Sequence, residues 1–439
     1  MRRLLVTLPL FLGLGLLGVL AHPPDLHPQA TDVYLNILAS GAKKLNIAIP
    51  EFARPQGVDP QGFAKRLPEI VGNDLTFSAL FSVVSGNAPL PTAPEPLKKA
   101  LADLQAAGAH AALQGSLTAN GEKLIVEVRL LDLTAPEPRP IVTKIYDALA
   151  RDHRRMAHKI ADEVVYQFTG ERGIADTKIA YVSTSSGTKE IDMMDYDGFN
   201  VVQLTKNGSI NLSPAWRPDG QALAFTSYQR EFPQLFLLLP YEGRQQLLQG
   251  WPGLNTAPAW SPDGQSLAYT LSKDGNPEIY VLRTRTGEIR RLTNHRGIDT
   301  DPTWSPTGRE IAFTSDRGGT PQIYIADAEG ANVRRLTFEG GYNVQPRWSS
   351  RGAEIVYTSR QGTFDLWAIN VDGSNLRRLT NGGGNESPSW APNGRHVVFA
   401  SRRTGRWQLF TMLADGNDVR QLTQDRGEAT GPAWSPRIP

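Results

Sequence analysis

From about residue 178 to the C-terminus, short apolar runs alternate with polar segments rich in Gly, Pro, Asp and Asn, and the alternation repeats. One run recurs as Leu223–Ser227, Leu267–Leu271, Ile311–Ser315, Ile355–Ser359 and Val397–Ser401. Before each stands a Pro-x-Trp element and a turn, most fully written in Pro258–Gly264 (Pro-Ala-Trp-Ser-Pro-Asp-Gly). The tryptophans are Trp216, Trp260, Trp304, Trp348, Trp390 and Trp434, at steps of 44, 44, 44, 42 and 44 residues. A third run carries an aromatic residue, as in Gln322–Ile325 and Asp365–Ala368, and a fourth ends in Leu-Thr at Thr293, Thr337, Thr380 and Thr423. Short β-branched and aromatic runs separated by Asp-Gly and Asn-Gly turns predict antiparallel hairpins. Four such strands per period of roughly 40 to 45 residues predict a propeller blade.

The strand count predicts how the ring closes. Ile179–Ser183, Glu190–Met194 and Val201–Thr205 read as second, third and fourth strands without a first; Pro432–Trp434 reads as a first strand without successors. One blade is therefore built from both ends of the repeat region, giving six. In such a blade the first-to-second and third-to-fourth connections share one end, here with tight Pro-Asp-Gly turns. The longer loops lie at the other end, which is the expected binding face because recognition residues concentrate on loops held by a rigid scaffold.

The preceding part patterns differently. Residues 1–21 combine Arg2 and Arg3, an apolar run from Leu4 to Leu20 and a small residue at Ala21, which predicts a cleaved secretory signal. Residues 22–30 are Pro-rich. Strands are predicted at Val33–Ile37, Lys44–Ile49, Phe81–Val84, Ala111–Leu117, Lys123–Leu133 and Pro140–Asp147, and helices from Asp59 to Thr76, Glu95 to Ala107 and over 149–169. The expected organisation is a signal peptide (1–21), an α/β domain (22–175) and the propeller (176–439): a mainly β protein, a six-bladed β-propeller preceded by a small α/β domain.

Charge and chemistry narrow the function. Removal of the leader takes two of 46 basic residues and no acid, leaving 44 against 44, which gives no basic patch for nucleic acid or an anionic membrane. The chain has no Cys, so disulfide frameworks and thiol chemistry are excluded. No Gly-x-Ser-x-Gly, His-Glu-x-x-His, phosphate loop or dinucleotide fingerprint is present. His153 and His158 are five apart on a predicted helix, which does not place both on one face for a metal. Asp219 and Asp263 recur by blade and read as turn formers. Ser315–Gly318 has part of an Asp-box pattern without its following Thr-Trp. The Arg pairs 290–291, 334–335 and 377–378 precede the Leu-Thr of fourth strands and read as charges that keep outer edges from pairing. No catalytic, cofactor or metal residues are expected; the alternative is an exported propeller hydrolase or lyase working at the central channel.

The blade consensus resembles the TolB-type propeller repeat, and the helix residues 161–170 followed by Gly173 and Ile179–Val182 match that family as well. So do Ile47–Phe52, Asp74-Leu75 with Ser78 and Phe81, and Gly115–Thr118 in the α/β part. The resemblance implies a non-enzymatic, monomeric, periplasmic component of the Tol-Pal system. Such a component binds a peptidoglycan-associated lipoprotein (Pal) through the propeller and TolA through its mature N-terminus, has possible further outer-membrane partners, supports outer-membrane integrity and invagination at division, and is of the type exploited for bacteriocin import. Carried over, the Pal surface is Leu254, Asn255, Thr256, Ala257, Ile298, Asp299, Thr300, Asn343, Val344 and Gln345, taken as fourth-to-first loops. The TolA strand is Thr31, Asp32, Val33, Tyr34, Leu35, Asn36 and Ile37. Residues 22–30 precede the point where the family's N-terminal segment begins, a departure that bears on the TolA contact.

Overall fold

The computed structural model describes residues 44–438 apart from 57, 58, 60, 85–87, 136, 425 and 426. The leader, the strand expected at Val33–Ile37 and Pro60 lie outside the described residues.

The N-terminal part runs β1 (Leu45–Ala48), β2 (Ala53–Gln56), α1 (Phe63–Phe77), β3 (Phe81–Val84), α2 (Pro94–Ala106), β4 (Ala111–Asn120), β5 (Lys123–Asp132), β6 (Arg139–Leu149) and α3 (His153–Thr169). The sheet order is β3-β1-β4-β5-β6, with β2 against β4. β1 pairs in parallel with β3 and β4, so helices form the crossovers, whereas β4, β5 and β6 form an antiparallel meander. One face is packed by α1 and α3 through Leu67, Val71 and Leu75 and through Ala157, Ile160, Val164 and Phe168. Both sets follow the helical period. The other face takes α2 through Leu101 against Ala48, Ala112 and Leu131.

Two details depart from the pattern reading. The helix expected from Asp59 begins at Phe63, and Asp59 caps it from outside: its carboxylate accepts the Phe63 and Ala64 N–H groups at 2.8 and 2.9 Å. Strand β2 was not expected; with only four residues and a proline it offers no alternation to read.

The remainder is six four-stranded antiparallel sheets. Blade one comprises Asn211–Trp216, Leu223–Ser227, Gln234–Leu239 and Arg244–Gln249. First strands of blades two to five are Asn255–Trp260, Asp299–Trp304, Asn343–Trp348 and Asn385–Trp390. Blade six pairs Ala429–Trp434 with Lys178–Ser183, register Ala429↔Ser183 to Trp434↔Ile179, so ladder hydrogen bonds close the ring as the strand count predicts. The apolar runs of the second strands are buried because each blade is covered on both faces by its neighbours.

Tryptophan joins the blades. Indole N–H groups of Trp216, Trp304 and Trp390 donate to the carbonyls of Ala433, Ala259 and Arg347 on the preceding first strand, at 3.0–3.1 Å. The Arg pairs also reach across. Arg290 donates to the Ala328 and Glu329 carbonyls and Arg334 to that of Val371, each on the next blade. Their role is therefore inter-blade bonding, beyond the edge charge expected from sequence.

Candidate functional site: the loop end and the channel

The two ends of the ring are built differently. At the loop end, the Thr of each Leu-Thr closes a buried staple. Thr337 Oγ1 accepts the Ile323 N–H and donates to Gln322 Oε1; that oxygen also takes Asn343 Nδ2 at 2.8 Å, from the next blade. Thr380, Asp365 and Asn385 repeat the arrangement, as do Thr205, Glu190 and Asn211. Blade one has Leu247 and Leu248 where Leu-Thr is expected, and there the fourth strand lengthens to six residues.

This staple decides where the sequence-derived positions lie. Eight of the ten fall within first strands rather than loops: Asn255, Thr256 and Ala257; Asp299 and Thr300; Asn343, Val344 and Gln345. Asn, Thr and Asp before a proline read as loop, but ladder pairing starts at the Asn or Asp and is interrupted by a bulge before the Pro. Asn255, Asp299 and Asn343 are fully buried. Asn255 donates to the Trp251 carbonyl at 2.6 Å and Asp299 accepts from Arg317 at 2.7 Å. Thr256, Ala257, Thr300, Val344 and Gln345 are half-buried, and Ala257 and Gln345 line the channel. Leu254 and Ile298 lie just outside, on the rim.

Beside Ile298, which the sequence reading named, the rim carries residues that it missed. Ile210, Ile298 and Tyr342, each immediately before the opening Asn or Asp of a first strand, are 45%, 47% and 38% exposed. Trp251, Tyr228 and Phe338 are exposed at the same end. The signal was available: a large apolar residue one position before the strand-opening polar residue in several blades.

The bulges line up around the channel. Ser213, Ala257, Asp301, Gln345 and Ser387 all adopt φ between 51° and 55°, and Gly431 takes the same place in blade six. Left-handed backbone at five non-glycine positions of one ring is costly. These residues line a cavity of about 420 Å³ to which all six blades contribute.

The opposite, tight-turn end is covered by the N-terminal part. Tyr196 Oη donates to Asp74 Oδ1 at 2.6 Å, and His158 Nδ1 lies 2.8 Å from Asp74 Oδ2. Arg154 pairs with Asp197 and Lys178 with Asp195. Asp74, His158 and Asp197 come close enough to share an ion. Arg154 and Tyr196 already occupy oxygens there, so the group is built as a latch between the two parts. Burial lowers the His158 pKa, but the Asp74 hydrogen bond and charge, with Asp197 and Asp195, win and hold it above the ordinary value. Burial raises Asp197. His396 Nε2 lies 3.0 Å from the Phe77 carbonyl and its ring stacks on Phe77; burial depresses it to about 4. At the junction, a Cβ on Gly173 would lie 2.0 Å from Asp162 Oδ1, and Asp162 accepts the Ala175 and Asp176 N–H groups. Sequence could not pair His158 with residues 84 positions upstream and 39 downstream.

Comparison with known proteins follows the same division. Residues 165–438 match the family described as the TolB beta propeller domain, and residues 33–138 the TolB amino-terminal domain. The chain belongs to the TolB family. The crystal structure of TolB from Acinetobacter baumannii is 32% identical over 90% of this chain and 97% of that one, with a TM-score of 0.79. The Tol-Pal system protein TolB of Geobacter sulfurreducens is 41% identical over 213 residues, which is 48% of each chain. That of Desulfosudis oleivorans is 38% identical over 217 residues, 48% of this chain and 49% of that protein. The chain thus spans about half the length of the curated TolB relatives it matches. Among the described residues, no helix is long and apolar enough to cross a membrane.

Proposed function

We propose that this chain is a non-enzymatic adaptor of the Tol-Pal system, exported to the periplasm, that binds a Pal-like peptidoglycan-associated lipoprotein at the loop end of its propeller. The observation that carries this reading is the asymmetry of the ring. One end is covered by the α/β part, while the other presents Ile298, Tyr342 and Trp251 on a rim fixed by buried Asn and Thr staples. Leu254 and Ile298 make direct contacts, Thr256, Thr300, Val344, Ala257 and Gln345 form the mouth below them, and Asn255, Asp299 and Asn343 act as struts. Residues 31–37 engage TolA, and the assembly serves outer-membrane integrity, invagination at division and the import of bacteriocins. No reaction is assigned to the channel.

The test is calorimetric titration of the mature chain with a Pal-like lipoprotein lacking its lipid. Binding by the native chain and at least about a hundredfold loss in Ile298→Asp/Tyr342→Asp is the expected result, since apolar anchors at an interface centre each contribute about 2 kcal/mol or more. Unchanged affinity in that double variant moves the interface off the loop end. Turnover of a peptide or glycan substrate, lost on replacing Asp301, sinks the adaptor reading itself.

A further inference from the structure

The lower part of the channel, toward the tight-turn end, has a composition that the ring's symmetry does not demand. The fifth residue of each first strand comes to one level of the cavity: Ala433, Ala215 and Ala259 from blades six, one and two, then Thr303, Arg347 and Ser389 from blades three, four and five. Going round the ring, one half is three methyl groups and the other is a guanidinium between two hydroxyls. The hydroxyl oxygens are already used as acceptors: Thr303 Oγ1 takes the Trp348 N–H at 3.3 Å and Ser389 Oγ the Trp434 N–H at 3.0 Å. A hydroxyl that accepts from the wall still has its O–H to donate, and both residues line the cavity.

Arg347 is the unbalanced member. Its Nη1 donates to the Pro346 carbonyl at 2.8 Å, and among the described residues no carboxylate lies within ion-pair distance of it. Burial inside the ring pushes its pKa down, and the charge of Asp301, two residues before Thr303, offsets this only in part. A half-buried guanidinium whose nearest opposite charge, Asp301, lines the same cavity but makes no ion pair with it is under-compensated, and the fork geometry of its N–H groups fits a carboxylate. The cavity, at about 420 Å³, is in the range of small-ligand sites.

We propose that this level of the channel is a carboxylate-binding site: Arg347 grips the two oxygens, Thr303 and Ser389 donate from either side, and the alanine half receives a small apolar group attached to the carboxyl carbon. The ligand class is a small carboxylate, supplied as a free amino acid or as the C-terminal residue of an extended peptide entering from the loop end. A phosphate fits less well, because a single cation faced by an alanine wall leaves its further charge uncompensated. The site is separate from the loop-end surface and does not rest on its assignment.

The experiment is calorimetric titration of the full mature chain with five probes: acetate, free L-alanine, an N-acetylated tri-alanine with a free C-terminus, the same peptide as its C-terminal amide, and inorganic phosphate. Saturable binding of at least one carboxylate probe is expected, below about 10 mM. Binding of acetate or alanine alone assigns a free small carboxylate; binding of the peptide acid with at least about tenfold loss in the amide assigns a chain end. Arg347→Gln is expected to weaken the acid by at least about tenfold. Ala259→Asp, which supplies an internal carboxylate from the opposite half, is expected to abolish binding while leaving Arg347 in place. The second variant carries the test if the first does not fold. No binding of any carboxylate probe, equal binding of peptide acid and amide, phosphate alone, or undiminished affinity in both variants overturns the proposal.

Discussion

The two ends of the propeller hold themselves together by opposite means. At the loop end every fixing is local to a blade or its neighbour and recurs: Thr337, Gln322 and Asn343 in one place, Thr380, Asp365 and Asn385 in the next. At the tight-turn end Arg bonds between blades recur too, but the fixings that join the N-terminal part to the ring occur once each and link residues far apart in sequence, such as Asp74 with Tyr196 and Phe77 with His396. A repeated fixing is buffered, because losing one leaves others of its kind. A unique buried fixing is not, so mutation should separate the ends by size of effect as well as by kind.

The largest effect is expected from Asp74→Ala. It removes the shared acceptor of Tyr196 and His158, both of which stay buried. Breaking a buried charged network by deleting one partner costs about 3–5 kcal/mol. Urea unfolding followed by tryptophan fluorescence, which reports the propeller, and by far-ultraviolet dichroism, which also reports the helices, checks it. The two probes are expected to coincide in the native chain and to separate in the variant, as the α/β part loses its hold. Coincident curves with unchanged midpoint would remove the distinction between the ends.

Next in size is the pH response of the same junction. The folded-state pKa of His396 is depressed from 6.5 to about 4, so it favours the docked state when neutral. Its contribution is present above about pH 6.5 and is lost as pH falls toward 4. A full loss is about 3 kcal/mol for such a displacement. His158 is held above its ordinary value, so its contribution is present below 6.5 and is lost as pH rises through its folded pKa. From these two groups, stability is expected to peak near pH 6.5. His396→Gln should flatten the acid limb and His158→Gln the alkaline one, measured as thermal midpoints from pH 4 to 8.

The same contrast explains what could be read without coordinates. Trp216 to Trp434 at nearly constant spacing, and the missing first strand before Ile179, were enough for six blades and their closure. Repetition turns weak local signals into a strong one. The helices over Glu95–Ala107 and 149–169 were legible from period and from Gly108 and Gly170, whereas the entry of α1 was displaced because the cap acts from Asp59, four residues before Phe63. The site was less legible. Asn255, Asp299 and Asn343 look like loop residues until the staple is seen, because a polar residue at a strand start reads the same whether it faces water or a buried Gln322. His158 and Asp74 were opaque for a different reason. Nothing in either neighbourhood indicates a partner in the other domain.

A smaller effect is expected where the fixing is repeated. Thr337→Val keeps the shape but leaves the Ile323 N–H and Gln322 Oε1 short of a partner, at a cost of about 1–3 kcal/mol. Blade one shows how the fold does without it. Leu248 replaces the Thr, Gln234 Oε1 has no hydrogen-bond partner among the described residues, and the fourth strand pairs over Arg244–Gln249 instead of two or three residues. A loss as large as that of Asp74→Ala, measured by the same urea titration, would show that the staples are not buffered by their number.

The smallest effect on stability is expected on the rim, and that smallness is what makes it informative. Ile298 is 47% exposed, and its backbone N–H is held by Asp316 at 2.7 Å independently of the side chain. Ile298→Asp therefore removes little buried area and no hydrogen bond, and exposed substitutions of this kind stay within about 0.5 kcal/mol. The neighbouring Asp299, one residue on, is fully buried against Arg317, and Asp299→Ala leaves the part-buried Arg317 guanidinium without its carboxylate. If the rim is the working surface and the strand beneath it the support, the two changes must part company. Ile298→Asp should abolish lipoprotein binding at native unfolding midpoint, while Asp299→Ala should lower the midpoint and weaken binding only in proportion to the protein it unfolds. The reverse outcome, with Asp299→Ala losing affinity at full stability and Ile298→Asp binding normally, would place recognition inside the channel mouth instead of on the exposed ring around it.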